Sequence, residues 1–188
     1  RFFSDINKRK FPISIFILRQ KVISTKSLDT IKKFIKDNEF DILKSTLLTG
    51  ATRENAILHL RGGTWKDAMF TEETVEFEPA YAMIVVDNHS NSHIRFVNLK
   101  NKIRDKFDNS PGPSVVHSTD EEVEFWDYVS NCFPDEIDKV EDVVKEALEN
   151  RKKDAMHLII FNFIKLLPYY KYTAEAKIKK YIIKIVTT

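Results

Sequence analysis

Two short runs constrain the fold of this chain more than anything else in it: Ile13-Ser-Ile-Phe-Ile-Leu18 and Ala80-Tyr-Ala-Met-Ile-Val-Val86. A strand with one face in water alternates apolar and polar residues. A near-continuous apolar run suits a strand covered on both faces, and so a sheet with helices over it. Phe40-Asp-Ile-Leu-Lys-Ser-Thr-Leu-Leu48 alternates less cleanly, but its apolar and β-branched content also predicts a strand. Ser114 to His117 reads as a short last strand.

Helical periods fill the gaps. Ser27 is a candidate N-cap, and Leu28, Ile31, Phe34 and Ile35 form an apolar stripe reaching about Asn38. Ile94 to Phe107 reads as a basic helix with Ile94, Val97, Ile103 and Phe107 inward, stopped by Asn109-Ser-Pro-Gly-Pro113. A further helix is expected after His117, capped by Asp120 or Thr119, with Val123, Trp126, Val129 and Phe133 as its apolar face. The order through residue 133 is strand, helix, strand, strand, helix, strand, closing helix. That predicts an α+β fold, a ferredoxin-like split βαβ sandwich, with strands 12–18, 40–48, 80–86 and 114–117 in one sheet and helices 27–38 and 93–107 on one face.

Residues 49–79 are the least legible. Ala56 to Leu60 fits a short strand or a helix turn equally. Arg61-Gly-Gly-Thr-Trp-Lys-Asp67 reads as a loop without the glycine spacing of a phosphate-binding P-loop. Pro134 introduces an all-helical extension, so the expected domains are 1–136 and 137–188. Three helices are expected there: one with Ile137, Val140, Val143 or Val144, and Leu148 on one face, a buried one from Met156 to Leu167, and a basic amphipathic one around Ile178 to Ile185.

Charge is unevenly distributed. Residues 117–150 hold twelve Asp and Glu against Lys139 and Lys145, while residues 151–188 hold nine Lys and Arg against Asp154 and Glu175. The two segments are expected either to pack or steer against each other or to be two solvated faces. The basic last helix is expected to lie on the acidic segment, on a membrane surface or on a protein partner. A net charge of +2 offers no general case for nucleic acid. The lone Cys132 excludes an internal disulfide and a cysteine-based zinc site, and His59, His89, His93 and His157 have no ligand spacing. No apolar run reaches the length of a membrane helix and no signal peptide is recognisable, so a cytoplasmic location is expected. The chain opens at Arg1 rather than Met, as a processed product or a domain cut from a longer chain would.

The chemistry concentrates at His117, placed where a strand gives way to a helix. An imidazole there is either a structural strand-end histidine or a reactive one handling an anion near free helix amides. Ser114-Val-Val-His-Ser-Thr-Asp120 resembles the active-site string of the nucleoside diphosphate kinase family, Asn-x-x-His-Gly-Ser-Asp, whose histidine becomes phosphorylated. Lys102-Ile-Arg-Asp-Lys-Phe107 resembles that family's Thr-Ile-Arg-Gly-x-Phe, and Glu78-Pro-Ala-Tyr-Ala-Met-Ile84 its strand beginning Gly-Pro-Val. Arg19 falls where the family has the lysine of Lys-Pro-Asp-Gly-Val, while Gln20 and Lys21 replace the next two residues.

The resemblance covers roughly residues 11–136. It implies His117 as catalytic residue, Arg19, Arg95, Arg104 and Thr119 as phosphate or nucleotide contacts, and Ser118, Asp120 and Asp127 as supporting groups, the family's supporting glutamate falling near Asp127 or Tyr128. It also implies nucleoside triphosphates and diphosphates as partners, with Mg2+ carried by the nucleotide and no dedicated protein metal site. The departures, above all the lost Lys-Pro-Asp string, equally fit a catalytically inactive binding or scaffolding module of a larger enzyme or assembly.

Overall fold

The computed structural model describes residues 11–60, 72–89, 93–108 and 114–166. Strand β1 is Ile13–Arg19, followed by the short helix α1, Gln20–Ser24, and by α2, Leu28–Asp37. Strand β2, Phe40–Leu47, leads into α3, Gly50–His59, and a 3-10 turn at Glu72–Phe77 precedes β3, Pro79–Asp87. Helix α4, His93–Phe107, then β4, Val116–Ser118, and α5, Glu122–Cys132, complete the sheet domain. A second 3-10 turn at Pro134–Glu136 precedes α6, Ile137–Leu166.

The four strands form one sheet in the order β2-β3-β1-β4, each pair antiparallel. Strands β1 and β2 therefore run the same way with β3 inserted between them, which is the split βαβ arrangement expected from the order of elements. The two apolar runs occupy the two central positions, and every residue of β1 and of β3 is buried. The outer strand β2 keeps its partly exposed pattern.

The pleat sends alternate residues to opposite faces. On one face Phe16, Leu18, Met83 and Val85 pack with Ile31 and Ile35 of α2 and with Phe96, Leu99 and Ile103 of α4. The Phe96 ring is 6.3 Å from Phe16 and 5.3 Å from Phe40, so aromatic contacts join helix, central strand and edge strand. Helices α2 and α4 thus share one face, as expected. The other face carries Ile15, Ile17, Ala82 and Ile84, all buried. There α5 packs on β1 and against α3, while α3 packs on β3.

Several local expectations are corrected. Helix α5 begins at Glu122, with Glu121 as its N-cap and no side-chain cap, so neither Asp120 nor Thr119 caps it. Its inward face is Phe125, Tyr128, Val129 and Cys132, and Val123 is 80 % exposed. The segment carries two overlapping apolar faces of helical period, and the one bearing Phe125 and Tyr128 is the one turned to the sheet. In α4 the buried residues include Phe96, Leu99 and Ile103, while Ile94 is exposed. Ser27 occupies the N-cap position of α2 without a capping bond, its hydroxyl lying 2.9 Å from that of Thr25. Residues 50–59 are helix, which settles the ambiguous stretch around Ala56.

The first two helices expected in the tail are one. No Gly or Pro interrupts Glu149 to Ala155, and nothing in that stretch stops a helix already under way. By internal contacts the chain divides into units Arg1–Ala147 and Leu148–Thr188. In the first, Val140 and Val144 are buried. In the second, the described part is helical to Leu166 and Met156 is exposed. The loop around Gly62 and the third tail helix lie outside the described residues. No helix among the described residues is long and apolar enough to cross a membrane.

Candidate functional site

The antiparallel register brings the C-terminal ends of β1 and β2 together with the N-terminal ends of β3 and β4. His117 lies near this end, opposite Ile17. Its side chain therefore shares the face of Ile17, the face covered by α3 and α5. The imidazole is 5.8 Å from the Tyr128 ring, and its Nε2 is 3.6 Å from Glu124 Oε1. It remains 18 % exposed, enough for a ligand to reach it.

Glu124 is the residue that sequence reasoning missed. It stands in the first turn of α5, pointing back at β4, and its Oε2 accepts a 2.6 Å hydrogen bond from the Asp120 N–H. Burial pushes its carboxyl up, but the neighbouring His117 imidazole and the Asp120 amide outweigh that, and its pKa is lowered below the ordinary 4.5. A carboxyl whose folded pKa is depressed contributes stability that is fully present above its ordinary pKa and is lost as pH falls through the folded value. We therefore expect chemical denaturation to show wild-type stability declining from about pH 4.5 downward and Glu124→Gln to lose part of that slope. Identical slopes would mean that Glu124 is not held as an anion. Asp127, nearly one turn further on, is exposed, and its backbone carbonyl accepts from Ser130 Oγ and Asn131 Nδ2.

Arg104 reaches the same strand from the other face. The bonds from Arg19 N–H to Val115 O and from Thr119 N–H to Ile15 O fix which β4 groups face β1. They leave the Val116 carbonyl on the open edge. The Arg104 guanidinium covers it, donating from Nη2 at 3.1 Å and from Nε at 3.4 Å. Arg19 is still extended and follows Ile17 by two residues, so it projects on the His117 side of the sheet, as a diagonal neighbour. It is 4 % exposed, and its Nη1 donates to Phe77 O at 2.9 Å. A further cation came from the illegible segment: Arg53 of α3 donates to Gln20 Oε1 at 3.1 Å and to Glu78 Oε2 at 2.9 Å.

Arg95 is elsewhere. It stands nine residues before Arg104 on α4, roughly 13 Å along the axis, at the opposite end of the sheet. Its Nε is 3.4 Å from Asp87 Oδ2, its Nη2 donates to Asn38 O at 3.3 Å, and it lies 5.0 Å above the Phe40 ring. A cleft of about 410 Å³ opens beside it, lined by Asn38, Phe40, Lys102 and Asp105 among others. That cleft is remote from His117.

Thr119 is buried, its Oγ1 accepting from the Ile15 N–H at 3.1 Å and lying 3.1 Å from Ser14 Oγ. Ser118 is fully buried opposite Phe16, on the face away from His117. Asp120 is exposed, with its Oδ1 3.5 Å from Lys100 Nζ. Among the described residues no group of three or more His, Cys, Asp or Glu is arranged to hold a metal ion.

No family model matches the chain. No curated protein matches it either. Among solved structures it is similar to nucleoside diphosphate kinase from Encephalitozoon cuniculi, at 14 % identity and a TM-score of 0.48, over 67 % of this chain and 91 % of that one. It is also similar to the Aquifex aeolicus nucleoside diphosphate kinase, at 14 % identity and a TM-score of 0.46, over 64 % and 94 % of the two chains. The similarity is distant and lies in the fold. The roles of individual residues rest on the geometry of this chain alone.

Proposed function

We propose that the sheet domain binds nucleoside triphosphates and diphosphates and transfers a terminal phosphoryl group through His117. The observation that carries this reading is the pairing of His117 with Glu124, near the end of the sheet where Arg19 binds Phe77 O and Arg104 binds Val116 O. Nε2 faces the carboxylate, and the attack is assigned to the other ring nitrogen, Nδ1. Nδ1 forms a bond to the terminal phosphorus, the bond to the bridging oxygen breaks, and the diphosphate leaves with that electron pair. The proton stays on Nε2, where Glu124 offsets the positive charge that develops on the ring. A second diphosphate then attacks the phosphohistidine through its terminal oxygen and regenerates the neutral imidazole.

Arg104 and Arg19 supply positive charge to the phosphate oxygens, since positioning and charge stabilisation are most of what phosphoryl transfer requires of a protein. Magnesium enters as part of the nucleotide substrate.

A second reading has its own support. Arg19 is nearly inaccessible, and both arginines donate to backbone carbonyls, as residues of a binding or scaffolding module that no longer performs chemistry would. An exchange assay separates the two. Wild-type protein mixed with a triphosphate of one base and a diphosphate of another should generate the second triphosphate, and His117→Ala should reduce the rate to background. Nucleotide binding without exchange would favour the module.

A further inference from the structure

We propose that Arg53 is a further phosphate-contacting residue of this site, held by Gln20 and Glu78 until a polyphosphate takes Glu78's place. The inference rests on the reading of the site as a nucleotide site and adds to it a residue from the segment least legible in the sequence.

Placement is the first argument. Arg53 lies in the first turn of α3, which follows β2 at the same end of the sheet as His117. Its two partners flank Arg19 and its acceptor: Gln20 follows Arg19, and Glu78 follows Phe77, whose carbonyl Arg19 holds at 2.9 Å. The Gln20 N–H donates to Glu78 O at 2.9 Å, so the two chain segments are locked together. Both guanidiniums are thus fixed on one pair of crossing backbones.

Chemistry is the second. To its partners among the described residues, Arg53 donates one hydrogen bond from Nη1 and one from Nη2. That fixes the plane of the fork and leaves further N–H groups for an oxyanion, in the geometry that suits phosphate. Arg53 and Glu78 are 25 % and 24 % exposed, so solvent weakens the pair and a multiply charged phosphate can displace the carboxylate. Arg53 has a second effect in the resting state: without it the Glu78 carboxylate would face the incoming phosphates uncompensated.

The test is calorimetric titration of the full chain with a nucleoside diphosphate and, separately, with inorganic triphosphate. Arg53→Ala should weaken both by about tenfold or more, the loss expected for one charge-assisted contact, and Arg53→Lys should restore part of it. Glu78→Gln keeps the guanidinium, removes its competitor and should bind both probes several-fold more tightly at low ionic strength. It also keeps the test valid should Arg53→Ala fail to fold. Wild-type affinity in Arg53→Ala, or unchanged or weaker binding in Glu78→Gln, overturns the role of Arg53 and leaves transfer through His117 to be judged by exchange. Absence of binding by the wild-type protein overturns this inference and the nucleotide reading together.

Discussion

Replacing Phe16 by alanine should destabilise the sheet domain by about 3–5 kcal/mol, the range for deleting a fully buried aromatic ring. Phe16 is inaccessible to solvent at the middle of β1, the strand bonded on both sides, to β3 and to β4. Its ring meets Phe96 of α4, which in turn meets Phe40 of β2. Truncation leaves a cavity bounded by a strand and a helix that other contacts hold in place, so collapse cannot fill it. Typical domains are stable by about 5–15 kcal/mol, and a loss of this size removes a large share. Urea denaturation measures it, with Val123→Ala as a control: that side chain is 80 % exposed and its truncation should stay within about 0.5 kcal/mol. A loss below about 1 kcal/mol at Phe16 would contradict the packing described.

Arg104→Ala should have the largest effect on transfer after loss of His117 itself, lowering the exchange rate by about 10²-fold or more, as deletion of a positioned donor does. The guanidinium is fixed on the Val116 carbonyl, one residue before His117, so its charge is held at the strand that bears the proposed nucleophile rather than carried on a mobile arm. Arg104→Lys keeps the charge and loses the two-pronged geometry, and should recover only part of the rate. The stability cost should be modest, because Val116 O lies on an open strand edge where water can replace the guanidinium. A variant that folds normally and exchanges at the wild-type rate would remove Arg104 from the site. Arg95→Ala is the matching control on the same helix. Arg95 serves Asp87, Asn38 and Phe40 at the far end of the sheet, and exchange should survive its loss.

The legible parts of the sequence are those with a single physical solution. A run such as Ala80 to Val86 has no polar face to turn to water, which suits a central strand, and the order of elements pointed to the split βαβ arrangement. Helix α3 was illegible because Gly50-Ala-Thr-Arg-Glu-Asn-Ala-Ile-Leu-His59 has a weak apolar stripe in which Ala56 alone is buried. The faces of α4 and α5 were misjudged because each carries more apolar residues than one face needs, and only the sheet selects among them. At the site, His117 announced itself through its string, whereas Glu124 did not. Its contact depends on α5 starting at Glu122 rather than Asp120, which turns a first-turn side chain back onto the strand. Arg95 and Arg104 are alike in type and share one helix. What separates them is which end of the sheet each reaches, and that is a property of the fold.

The most direct test is to trap the intermediate. Wild-type protein is incubated with magnesium and a triphosphate labelled at its terminal phosphate, freed of nucleotide and digested, and the labelled peptide is sequenced by mass spectrometry. The account predicts one acid-labile, base-stable phosphate on the Nδ1 atom of His117, discharged by an unlabelled diphosphate to give labelled triphosphate. Bound nucleotide with no label on the protein, or label on any residue other than His117, would contradict it.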